Sequence, residues 1–237
     1  MTPTLRGREI ILAGGTGGLG AATASLLAEE GATLILGYHA NHERAERVAQ
    51  GAHLIQADLA SEEDRTALLD AADDLYGLVI LSGDPSRGAI LSETLPRSFE
   101  TNFAGPILLA REAADRMKTR GTPGAIVILG TMQTAALFTN STAYAAQKAA
   151  LVHAACVLAK EMRGPANIRV NVVNPGVTTA GMAQASVASG KYQPYLDQGA
   201  IARYGQAVDI ARAIRFFLEP DNYVTGQVLT VDGGLTL

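Results

Sequence analysis

The sequence has one cysteine, no tryptophan and only 5% aromatic residues among its 237 positions. A lone Cys156 excludes an internal disulfide framework and suits a reducing compartment. It is expected to be a buried packing thiol in an apolar helix. Long hydrophobic runs are also missing: even the alanine-rich stretch after Tyr144 is interrupted by Gln147, Lys148 and His153, well short of the ~18 unbroken apolar residues of a membrane helix. No membrane partner is expected. Met1 to Glu9 carries no apolar run, and the glycine-rich segment beyond it would break the core of a signal peptide, so a cytoplasmic protein is expected. Basic residues are not in excess, with 19 Lys and Arg against 23 Asp and Glu and a formal charge of -4. That balance argues against a nucleic-acid partner, which would need a basic face. No metal site is expected. What remains is 48% hydrophobic and 18% charged, a globular composition for which one domain over residues 1–237 is the simplest division.

Short apolar runs alternate with helical patterns along the whole chain. The pattern predicts strands at Glu9–Ala13, Thr33–Gly37, His53–Gln56, Leu78–Ser82, Ala125–Gly130, Arg169–Asn174 and Gln227–Val231. Several lack polar alternation, as strands buried on both faces should. Helices are predicted at Gly18–Glu30, Asn41–Gln50, Glu62–Ala72, Pro96–Lys118, Ser141–Arg163 and Val208–Leu218, with glycines as stop signals. Repeated βαβ units of this kind imply an α/β fold: a three-layer, Rossmann-type doubly wound domain with a seven-stranded, mostly parallel sheet and helices on both faces. Residues 177–203 have no clear period and read as a substrate loop or lid.

Two local patterns carry chemistry. The first strand runs into Ala13-Gly14-Gly15-Thr16-Gly17-Gly18-Leu19-Gly20 and then into a helix, the context in which backbone amides approach a pyrophosphate at a helix N-terminus. In Tyr144-Ala145-Ala146-Gln147-Lys148 the phenol and the ammonium fall on one helix face, about a turn apart. A cation so placed is expected to favour phenolate and lower the Tyr144 pKa. Thr131 places a hydroxyl upstream, at the C-terminal edge of a strand, where open α/β sheets bind their ligands.

The spacing of Gly14, Gly18 and Gly20, the Tyr144–Lys148 pair and the upstream Thr131 together resemble the short-chain dehydrogenase/reductase family. Tyr223-Val224-Thr225-Gly226-Gln227 and Val231-Asp232-Gly233-Gly234 are similar to the C-terminal signature of its 3-oxoacyl-acyl-carrier-protein-reductase-like branch. The resemblance implies Tyr144, Lys148, Thr131 and Asn102 as the catalytic set, Asn102 linking Lys148 to water. It implies a nicotinamide dinucleotide held by Gly14, Thr16, Gly18, Leu19, Gly20, Tyr38, His39, Asp58, Leu59, Gly83, Tyr144, Lys148, Pro175, Gly176, Val177 and Thr179. Three departures stand out: Ala13 for the usual threonine, Ile80-Leu81-Ser82-Gly83 for the usual N-N-A-G, and Thr131 for serine. Tyr38 occupies the position where NAD users often place an acid, so NADP(H) is expected over NAD(H).

The implied function is interconversion of a ketone and a secondary alcohol, with carbonyl reduction favoured and a small-molecule carbonyl or alcohol as partner. The alternatives are a cofactor-binding regulatory or scaffold protein with little turnover, and an NAD-linked alcohol dehydrogenase. The Ser141–Arg163 helix is apolar almost all round and so needs covering on two sides. A homotetramer or homodimer is therefore expected.

Overall fold

The computed structural model describes residues 5–49, 51–85 and 90–237. The strands are β1 (Glu9–Ala13), β2 (Thr33–Tyr38), β3 (His53–Gln56), β4 (Leu75–Ile80), β5 (Gly124–Leu129), β6 (Ile168–Pro175) and β7 (Val228–Val231). They form one seven-stranded sheet in the order β3-β2-β1-β4-β5-β6-β7. Every pairing is parallel. The order reverses between β1 and β4, and a crevice opens above the C-terminal ends of the strands at such a point.

Successive residues of each inner strand pack on opposite layers, which is why the strands read as continuous apolar runs. Ile10 and Leu12 join α1 (Gly18–Glu29) and α9 (Ala207–Leu218) on one face through Ala24, Leu27, Ile214 and Phe217. Ile11 and Ala13 join α3 (Glu62–Asp70), α5 (Gly105–Arg120) and α6 (Thr142–Glu161) on the other through Leu68, Leu109, Leu151 and Leu158. Each such leucine or isoleucine contributes about 1.5–3 kcal/mol by leaving water. The short α2 (His42–Ala49) lies beside β2 and β3. Its expected last residue, Gln50, lies outside the described residues, as do Met1 to Thr4.

Several boundaries differ from expectation. The fourth strand runs over Leu75–Ile80 and not Leu78–Ser82, because Leu75 already pairs with Glu9. Beyond Ile80 one bond, from Leu81 N to Ala13 O, holds the chain before it turns away. The helix expected over Pro96–Lys118 is broken into α4 (Leu95–Phe99), a π-helical turn at Glu100–Ala104, and α5. Pro106 has no N–H to donate to the carbonyl of Asn102, four residues back, so regular α-helix cannot run through this point. Gly105 sits at the break: a Cβ there would lie 2.6 Å from Leu59 O. The 177–203 segment contains α7 (Gln184–Ala188) and α8 (Gln193–Asp197), so it is more ordered than its sequence suggests. No described helix is long and apolar enough to cross a membrane.

Candidate active site

The glycine turn after β1 is a cradle of bare backbone. Gly14 has φ +82° and its Cβ would lie 2.9 Å from Ser82 N; a Cβ on Gly18 would lie 2.7 Å from Gly181 N. Side chains at these points would fill the space the turn leaves open. Gly17 caps α1 with no side-chain hydrogen bond, and the first turn holds no acid. The α1 amides and the helix dipole therefore face a place suited to an anion. Above them lies a cleft of about 990 Å³, at the upper end of small-molecule sites. Its walls include each expected cofactor position, from Gly14, Thr16, Gly18, Leu19 and Gly20 through Tyr38, His39, Asp58, Leu59 and Gly83 to Pro175, Gly176, Val177 and Thr179. A dinucleotide fits a cleft of this volume with a bare glycine turn in its wall.

Thr131, Tyr144 and Lys148 line one end of the same cleft. Tyr144 and Lys148 are both buried on α6. Thr131 neighbours the Tyr144 phenol and acts to lower its pKa, while Thr131 Oγ1 accepts from Gln133 N at 3.3 Å. The expected lowering of the Tyr144 pKa is not found. Burial pushes the phenol up to about 12, against the lowering influence of Thr131, and nearby Asp84 raises it further. Lys148 is turned elsewhere: Nζ donates to Leu129 O at 3.0 Å and Ser82 O at 3.4 Å. Burial pulls its own pKa down to about 8, since two carbonyl dipoles do not replace lost water.

Asn102 is fully buried behind this end and outside the lining. Its Oδ1 accepts from Asp84 N at 2.8 Å, and its Nδ2 donates to Gln147 Oε1 at 3.0 Å and Ser98 Oγ at 3.3 Å. Its side chain is thus committed to bracing the chain beyond β4 against α6, and not to Lys148. A residue without a local signal is Asn174. Its Oδ1 accepts from Thr131 N at 3.0 Å and its Nδ2 donates to Thr134 Oγ1 at 3.0 Å. Position 130 must be glycine beside it, because a Cβ there would lie 2.0 Å from Asn174 Oδ1. The Gly130-Thr131 and Asn174-Pro175 pairs at two neighbouring strand ends were the only sequence trace of this contact.

The other end of the cleft carries charge. Tyr38 Oη pairs with His42 Nδ1 at 2.8 Å, and Asn41 Oδ1 caps α2 by accepting from Arg44 N at 2.8 Å. His39, Asn41 and Arg44 line the cleft. Asp58 Oδ2 accepts from Arg97 Nη2 at 2.6 Å and lies 3.6 Å from His39 Nε2. Although partial burial opposes it, the Arg97 and Ala60 hydrogen bonds hold its carboxyl below the usual range. The loop bearing Asp58 and Leu59 is fixed from α3: Asp64 Oδ2 accepts from Asp58 N, and buried Arg65 donates to Leu59 O while forking onto Glu112 of α5. Cys156, expected to be buried, is half-buried, with Sγ 3.7 Å from Gly226 O. It lies on α6 near that helix's exposed side, where Val157 is in solvent.

A family profile described as Enoyl-(Acyl carrier protein) reductase matches residues 13–236. The chain is 33% identical to carbonyl reductase family member 4 of Danio rerio, over 97% of this chain and 98% of that one. It is 30% identical to NADPH-dependent aldehyde reductase 2, chloroplastic, of Arabidopsis thaliana, over 98% and 95%. Among solved structures, a short-chain type dehydrogenase/reductase from Mycobacterium ulcerans superposes with a TM-score of 0.91 at 26% identity, covering 98% of this chain and 91% of that one.

Proposed function

The chain belongs to the short-chain dehydrogenase/reductase family, and from that premise we propose that it is an NADP(H)-dependent reductase converting a ketone to a secondary alcohol. The observation that carries this reading is that buried Thr131, Tyr144 and Lys148 line the same cleft as the glycine cradle. When bound, the nicotinamide supplies a hydride to the carbonyl carbon. Tyr144 gives its proton to the developing alkoxide, a positioned acid worth about 10²–10⁴ in rate. A phenol held to about 12 carries that proton at neutral pH, which favours reduction. Thr131 donates to the same oxygen. Lys148 would hold the nicotinamide ribose, and Asn102 holds the chain at Asp84 beside it. Pro175, Gly176, Val177 and Thr179 wall the nicotinamide, and residues 177–203 cover the substrate.

NADP(H) preference rests on the end of β2, where Tyr38 stands in place of an acid and Arg44, lining the cleft, offers positive charge to a 2'-phosphate. A relative named as NADPH-dependent is in keeping with it. Exposed apolar side chains on α5 and α6, Leu108 and Val157, support a homotetramer or homodimer of this domain.

The deciding experiment titrates NADPH and NADH by nucleotide fluorescence and follows oxidation of each with a panel of ketones. NADPH binding at least about tenfold tighter, with turnover, is expected. Tenfold tighter NADH together with alcohol oxidation would make it an NAD-linked alcohol dehydrogenase. Tight binding with no turnover would make it a regulatory nucleotide binder.

A further inference from the structure

The two ends of the cleft differ in chemistry. Beyond Thr131 and Tyr144 the lining passes to Met132 and Phe138, after β5, and to Val177, Met182 and Tyr192, after β6. Met132, Val177 and Tyr192 are buried in one apolar cluster, with Phe138 packed against it. At the same place Ser141 donates its hydroxyl to the Gln133 amide oxygen. Among the described residues the other polar side chains here are exposed, as are Thr139, Asn140, Gln184 and Lys191, or bonded to the main chain, as Thr178 is to Ala180 O. Tyr204 has a buried hydroxyl without a partner among the described residues, but it does not line the cleft.

We infer that the substrate is an apolar ketone, with an aryl or branched alkyl group as its larger substituent, and that polyhydroxylated ketones are excluded. The inference rests on the reductase reading above and narrows it. An aryl group against Phe138, Met132 and Tyr192 leaves water for ring and thioether contacts. A sugar hydroxyl set against Phe138 and Met132 leaves water and finds no hydrogen-bond partner on either side chain. Each hydroxyl so stranded costs about tenfold in kcat/KM. Position 138 therefore sets substrate class without touching the nucleotide.

The test compares NADPH-linked kcat/KM for acetophenone and L-xylulose in the wild type, Phe138→Ser and Phe138→Leu. Acetophenone should be favoured by about 100-fold or more, the cost of two stranded hydroxyls. Phe138→Ser should lower kcat/KM for acetophenone about tenfold, and Phe138→Leu should retain most of it, with NADPH Kd unchanged in both. Equal or better use of L-xylulose, or an acetophenone rate indifferent to Phe138→Ser, overturns the substrate class and leaves the reductase reading standing. A wild type that binds NADPH and reduces neither ketone overturns both.

Discussion

A phenol and a buried cation lie near each end of the sheet, and the two pairs behave differently. Where the strands begin, Tyr76 Oη donates to Leu218 O at 2.8 Å and accepts from Arg169 Nη2 at 3.1 Å, while Arg169 Nη1 donates to Phe217 O at 3.2 Å. Arg8 lies over the Tyr76 ring, 4.8 Å from its centroid. Where the strands end, Tyr144 and Lys148 share a helix and a cleft, and Lys148 is bonded to carbonyls of β5 and the chain after β4. Burial raises both phenols. At the first site the protein itself supplies partners to the phenol and to both terminal guanidinium nitrogens, Arg169 Nε being left without one among the described residues. The pair is a strut tying α9 to β4 and β6. At the second, the groups face a cavity where a ligand can take up what the protein leaves open. Residue type does not separate the two; the adjoining cleft does.

Replacing each phenol by Phe tests that contrast most directly. Tyr144→Phe should lower kcat at least about 10³-fold while NADPH Kd stays within about twofold, since only the proton is removed. Stopped-flow reduction and fluorescence titration read both, and substantial residual turnover would remove Tyr144 from the acid role.

The cation at the reactive end gives the next effect. With Lys148 near 8, the ammonium loses its proton as pH rises through that value, so NADPH Kd should weaken about tenfold between pH 7 and 9. Lys148→Met should be weak and flat over the same range. A pH-dependent Kd in the Met variant would assign the titration elsewhere.

Asn174→Ala should lower kcat about tenfold by freeing the Thr131 turn, with NADPH affinity kept. Because Thr131 favours the phenolate, the variant should also move the alkaline limb of alcohol oxidation upward. A loss of stability alone, with kcat intact, would make Asn174 merely structural.

Tyr76→Phe completes the contrast at the other end. It should cost about 1–3 kcal/mol of stability by stranding an Arg169 donor, read by denaturant unfolding, while kcat stays within about twofold. Loss of activity without loss of stability would dissolve the distinction between strut and reactive pair.

The seven strands were legible because burial on both faces writes itself as short apolar runs, and the glycine cradle because only glycine tolerates such backbone approach. The break at Glu100–Ala104 was less legible, although Pro106 marks it, because the periodicity of the flanking turns continues across it. Asn174 was hidden because its partners, Thr131 and Thr134, are brought together only when β5 and β6 pair.

By itself the sequence determined the parallel α/β architecture, the residues gathered along the cleft and the family to which they belong. These depend on local pattern: apolar periodicity, glycine at a tight turn, a phenol and an ammonium one helical turn apart. The tertiary structure decided how those groups are electrostatically set. Spacing put Lys148 beside Tyr144, yet packing aimed its ammonium at Leu129 and Ser82 and left the phenol high, up to about 12. A pKa is fixed by desolvation and by partners from distant strands, and neither exists until the sheet has closed around the side chain.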